Sequence, residues 1–143
     1  MAFGTRAQAS LEMLVVLAAL FAFFAAFLPV IKGGIEAAEF SVAAKANEAA
    51  LSHFAGMARE AFVLGRGNSF SRTVWLAGNG SIRFNETTSM LALDFSEAGP
   101  SKRLVAQVDF ALNFSGANFS RGSHVLSVNN SGGAVEALLK PFG

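Results

Sequence analysis

Three hydrophobic rhythms follow one another along this chain, and each predicts a different element. Between Met13 and Ile31 the run MLVVLAALFAFFAAFLPVI holds nineteen residues with no charge and no polar group on which a wet face could be built. As a helix that run is about 28 Å long, close to the ~30 Å hydrocarbon core of a bilayer, so a transmembrane helix is the expected element. From Ile35 to Leu64 the chain is rich in Ala, Glu and Leu and free of proline. Phe40, Ala44, Leu51, Phe54, Ala58 and Phe62 recur there at spacings of three, four and seven, which draws one apolar stripe along a helix. Beyond Gly67 the period falls to two. Leu104, Ala106, Val108, Phe110, Leu112 and Phe114 alternate with Gln107, Asp109 and Asn113, the mark of a strand with one buried face.

Punctuation residues set the boundaries. Gly65-Arg66-Gly67-Asn68 ends the helical stripe with a glycine suited to a left-handed cap. Further strands are expected near Ser71 to Leu76, Ser81 to Phe84, Ser89 to Phe95 and His124 to Val128. Turns are expected at Gly78-Asn79-Gly80, Gly99-Pro100, Ser115-Gly116 and Asn130 to Gly133. Ala134 to Lys140 reads either as a last strand or as a short helix. Pro29 removes a backbone donor from the apolar helix, and Gly33-Gly34 follows it. A kink is therefore expected over Pro29 to Gly34, as a hinge or as a true break. The fold class is α+β: a long N-terminal helix, membrane-spanning in its first half, packed in its second half on a small antiparallel β-sheet head.

Composition narrows the function classes. Hydrophobic residues make up 52% of the chain and charged residues 15%, an apolar excess over soluble chains that the Met13 to Ile31 run accounts for. The net charge is +1, with eleven Lys and Arg scattered along the chain, so no basic stripe for nucleic acid forms. The absence of cysteine excludes disulfides and thiolate metal sites. His53 and His124 sit in no metal-binding spacing. Gly65-Arg66-Gly67-Asn68-Ser69 follows a helix and lacks the G-K-[ST] ending of a phosphate loop. Asp94 and Asp109 fall in strand-like segments that could bring them together as a carboxylate pair for glycoside cleavage, but exposed strand acids are commoner and no cleft is indicated. No catalytic set, cofactor or metal is expected, and the chain does not read as an enzyme.

The flanks of the apolar run suggest its orientation. Arg6 and the chain amine precede it with no acid before Glu12, which by the positive-inside tendency places the N-terminus in the cytoplasm and the remainder outside. Lys32 on the far side opposes this, with Glu36 and Glu39 close behind it. A secretory signal cut near Ala25-Ala26 is an alternative, although the apolar stretch continues to Ile31. The outer location is echoed by N-x-[ST] sequons at Asn79, Asn85, Asn113, Asn118 and Asn129, five of the eight asparagines. Chance in so Ser-rich a segment supplies about one or two. They are possible N-glycosylation sites, or else turn-forming Asn and Ser with no sugar attached.

The most specific motif lies at the start of the apolar run, where Arg6-Ala7-Gln8-Ala9-Ser10-Leu11-Glu12 leads into it. This stretch resembles the class III signal peptide of archaeal type IV pilin-like proteins: a basic residue, a small residue, then Q-x-S-x-E and a hydrophobic helix. The resemblance implies cutting by a prepilin peptidase between Ala7 and Gln8, with Arg6, Ala7, Gln8, Ser10 and Glu12 as the processing residues. It also implies assembly through Gln8, Glu12 and Pro29, the last placed like the proline that bends many pilin helices. On physical grounds alone, a carboxylate at the edge of an apolar helix needs a partner. The new amine of Gln8, four residues back on the same face, or that of a neighbouring subunit would serve. The plainer alternative is that Ser10 caps the helix and Glu12 favours its positive end.

Four segments follow: residues 1–7 as leader, 8–31 as the transmembrane and filament-core helix, 32–64 as its amphipathic continuation, and 65–143 as an extracellular β-rich head. The expected function is that of a structural subunit in an archaeal type IV filament, serving adhesion or surface attachment. Its partners would be copies of itself or other pilins, the prepilin peptidase and the membrane, with no nucleic acid. The alternative is a monomeric, membrane-anchored surface glycoprotein with a binding head.

Overall fold

A computed structural model describes residues 3–97, 100–114 and 116–143, with side chains from Ser10 onward. One long helix, α1 (Phe3–Leu64), is followed by eight strands. These are β1 (Ser69–Leu76), β2 (Asn79–Asn85), β3 (Met90–Ser96), β4 (Lys102–Gln107), β5 (Leu112–Asn113), β6 (Ala117–Phe119), β7 (Gly122–Asn130) and β8 (Val135–Pro141). The chain divides into two compact units, Met1–Ala38 and Glu39–Gly143.

The second unit is α+β. Its strands form two four-stranded sheets, ordered β1-β7-β8-β5 and β4-β3-β2-β6. All pairs are antiparallel except the short parallel pair of β5 with β8. The helix from Glu39 onward packs on them. Ala43, Ala44, Asn47, Ala50, Leu51, Phe54, Met57, Ala58 and Ala61 are buried at helical spacing, and they join one cluster with Leu76, Leu91, Leu93, Phe95, Leu126 and Val128 from the inner sheet faces. The alanines let the helix backbone come close, while the phenylalanines fill the gaps. Phe40 stacks on Phe95 at 5.9 Å and Phe54 meets Phe114 edge-on at 5.2 Å, geometries worth about 0.5–1.5 kcal/mol beyond their burial.

The helix ends as expected. Gly65 and Gly67 take φ of 81° and 89°, and the Asn68 Nδ2 donates to the carbonyls of Leu64 and Gly65 at 2.9 and 3.1 Å, satisfying acceptors that the last turn leaves open. The β7 end is tied to this cap through Gly67 N–H to Asn130 O and Asn130 N–H to Asn68 O, at 2.8 and 3.0 Å.

Several expectations need correction. There are two sheets, not one, and not all pairs are antiparallel. The predicted strand over Leu104 to Phe114 is two strands: β4 closes the second sheet, and β5 lies at the edge of the first. Its in-out alternation survives because the chain crosses over the shared core, so Val108 and Leu112 are buried while Gln107, Asp109 and Asn113 stay exposed. Gly78, at φ 73°, makes the turn after β1, but Asn79 and Gly80 belong to β2 and pair with Ser96 and Phe95. Phe62, assigned to the buried stripe, is 51% exposed and stacks on Phe110 at 4.8 Å near the helix end. Residues 135–141 form a strand. β6 was not foreseen, being three residues long. The turn residues Gly99 and Ser115 lie outside the described residues.

On the outer face of the second sheet, Arg103 forks onto Asp94 across the β3–β4 pair, Nε to Oδ1 at 2.6 Å and Nη2 to Oδ2 at 3.0 Å. These hydrogen bonds hold the Asp94 carboxyl below its ordinary value, aided by the charges of Arg103 and Arg83 and opposed by partial burial. Because the folded pKa is depressed, the pair's stabilisation is present above the unfolded carboxylate pKa and is lost as pH falls through the folded one. Arg103→Gln is therefore expected to lower the thermal midpoint of the full chain at pH 7 and to leave it nearly unchanged at pH 2. Equal shifts at both pH values would show that the arginine acts through packing instead.

Candidate functional site

The feature that sets this chain apart is the first unit. From Leu11 to Ile35 every described side chain is exposed, including Leu14, Phe21, Phe24, Leu28 and Ile31. The helix has no polar stripe within this stretch and no core of its own to cover it. Phe23 stacks on Phe27 at 4.5 Å, one turn along, an i,i+4 pair that supports the helix without hiding its surface. By length and composition α1 could cross a membrane. A secretory signal segment would pass the same test.

The helix continues through Pro29 without ending there. The proline takes away the donor that would serve the Ala25 carbonyl, the expected origin of a kink. A Cβ added at Gly33 or Gly34 would meet nothing within 4 Å, so these glycines leave the backbone open to close approach from outside. Lys32 and Glu36 form an exposed i,i+4 pair at 3.8 Å, beyond the apolar run. Ser10 and Glu12 are both exposed on the helix. The side chains of Arg6, Ala7 and Gln8 lie outside the described residues.

The other residues singled out from the sequence are dispersed. Asp94 and Asp109 are not paired with each other: Asp94 binds Arg103, and Asp109 accepts from Arg59 at 3.5 Å. His53 is exposed, with Nδ1 3.1 Å from Arg72 Nη1. His124 is buried, its Nδ1 3.1 Å from the Gly122 carbonyl and its ring edge-on to Phe119. Among the described residues no group of three or more His, Cys, Asp or Glu is arranged to hold a metal ion. All five sequon asparagines are exposed.

Asn47, which sequence reasoning passed over, and Asn130, which it read only as a turn residue, hold the second unit together. Asn47, fully buried on the helix, donates from Nδ2 to Ala77 O at 2.9 Å and accepts Ala77 N–H on Oδ1 at 2.8 Å. Asn130 donates to Ala61 O at 3.0 Å and accepts from Gly132 N–H at 2.9 Å. The only sequence signal for Asn47 was a polar residue sitting in register with the buried alanines.

No family model matches this chain, and no curated protein or solved structure matches it. What stands is the architecture: an α+β chain with one long apolar N-terminal helix that could span a membrane, and two small, mainly antiparallel sheets packed on its later part.

Proposed function

We propose that this chain is a structural subunit of a type IV-like filament, made as a single-pass membrane precursor and assembled through its N-terminal helix. The observation that carries this reading is the exposed, uncharged apolar surface from Met13 to Ile31 in a chain whose second unit completes its own core. Each large side chain left in water forgoes about 1.5–3 kcal/mol, so this surface must be covered by lipid or by other helices. The mixture of Ala, Gly and Phe suits both, since small residues allow close helix–helix approach once lipid is exchanged for protein neighbours. The Arg6 to Glu12 motif favours the filament over a permanent anchor. It offers a cut at Ala7–Gln8 that leaves the apolar helix intact, and Glu12 gives the new amine a partner. In this reading the N-terminus is cytoplasmic, the β-rich unit is extracellular, and adhesion follows from its exposure.

Intact mass of the chain from membranes of cells with and without an active prepilin peptidase tests the reading. The expected result is a peptidase-dependent N-terminus at Gln8. Among chains that do begin at Gln8, those carrying Glu12→Gln are then expected to be lost from sheared filaments by tenfold or more. An uncut N-terminus in both strains would overturn the proposal and leave a permanent single-helix anchor.

A further inference from the structure

The eight asparagines divide into two groups that differ in sequence and in structure alike. Asn47, Asn68 and Asn130 begin no sequon, are buried or half-buried, and spend the carboxamide nitrogen on a backbone carbonyl. Asn79, Asn85, Asn113, Asn118 and Asn129 each begin a sequon and are all exposed. None of these five donates from its Nδ2 to another described residue. The single role seen among them is that of Asn85 Oδ1, which accepts from Thr87 and Thr88 N–H at 2.9 and 3.3 Å.

Strand geometry sharpens the contrast. Residues i and i+2 of a strand share a face, so a sequon in a strand presents its Asn and its hydroxyl residue together and turns the middle residue inward. Phe114, Phe119 and Asn130, the middle residues at three of the sites, are buried accordingly. The registers distribute the sites over both broad faces. Asn79, Asn85 and Asn118 lie on the outer face of the β4-β3-β2-β6 sheet, Asn118 directly opposite Ser81. Asn113 and Asn129 lie on the outer face of the other sheet, on either side of Glu136. They border one shallow depression of about 390 Å³ with Leu138 at its edge, room for a first sugar against an apolar surface.

We infer that the β-rich unit is N-glycosylated on both outer sheet faces, through the Nδ2 atoms of these sequons. The inference rests on the proposed extracellular placement of that unit. Sugars there would hold both faces in water, including the exposed Val105 and Leu138, and leave subunit contact to the N-terminal helix.

The test is peptide-level mass spectrometry of the full chain taken from the cells that make it, alongside protease added to those cells intact. Glycan-bearing peptides containing Asn118 and Asn129, one from each face, are expected. Ser120→Ala is expected to remove the Asn118 glycan while Asn118 itself remains. Cleavage of the head from outside with all five asparagines unmodified would overturn glycosylation and leave the placement standing, the sequons then being a by-product of strand alternation. A glycan retained on Asn118 in Ser120→Ala would overturn the sequon as its cause. A head protected from protease and unmodified would overturn the placement itself.

Discussion

Replacing Asn47 with leucine is expected to destabilise the second unit by about 2–4 kcal/mol, although leucine is apolar, similar in size and a better helix former. The reason lies across the core. Ala77 is buried, 5% exposed, in the link that carries the chain from β1 in one sheet to β2 in the other. No strand neighbour serves its backbone there. The Asn47 carboxamide supplies both partners, at 2.8 and 2.9 Å, and so stands in for one residue of a missing strand. Leucine would leave a buried N–H and a buried carbonyl unpaired, each costing about 1–3 kcal/mol, against a smaller gain from apolar burial. Urea unfolding of the full chain in detergent micelles, followed by the β signal in circular dichroism, measures the shift. An unchanged midpoint would mean that the link moves to find water.

Much of this fold was written in periodicity, because each rhythm reports which face of an element is buried. The stripe through Ala44, Leu51, Phe54 and Ala58 and the glycine cap at Gly65 needed only local spacing. What stayed hidden depends on partners distant in the chain. The alternation from Leu104 to Phe114 cannot reveal that its two halves belong to different sheets, since a chain crossing over one core keeps its inward positions either way. The role of Asn47 carries no signal in local spacing, because its partner, the Ala77 backbone, lies thirty residues away. Phe62 has the right spacing but lies in the helix's last turn, where the sheets no longer cover it fully.

The candidate site divides in the same way. The apolar run was legible because exposure to a bilayer demands uninterrupted hydrophobicity, a property of composition alone. The proposed processing at Ala7–Gln8 rests on a linear motif alone, which no fold geometry reports. The sequons were legible as letters, but that all five point outward, with their amide nitrogens unengaged, depends on strand register.

Gly80→Ala should be the most damaging small substitution in the β-rich unit. Gly80 lies in β2 between β3 and β6, paired with Phe95 on one side and Phe119 on the other. An added Cβ would run into the Asp94 carbonyl oxygen, and would meet Phe119 Cζ at 2.8 Å and Phe95 Cα at 2.9 Å. Two of these three atoms are backbone, held by the β2–β3 ladder, so they cannot give way as a flexible side chain would. Relief requires β2 to part from a neighbour, and a loss of about 3 kcal/mol is expected, at the upper end for an overpacked core. The helix supplies the opposite case. Gly56 is exposed on α1 with nothing within 4 Å of an added Cβ, so Gly56→Ala should stabilise by about 0.5–1 kcal/mol through helix propensity alone. The two variants add the same methyl group, and the sign of the change separates backbone crowding from conformational entropy. If Gly80→Ala leaves the urea midpoint unchanged or raises it, strand β2 is not clamped between β3 and β6 as described.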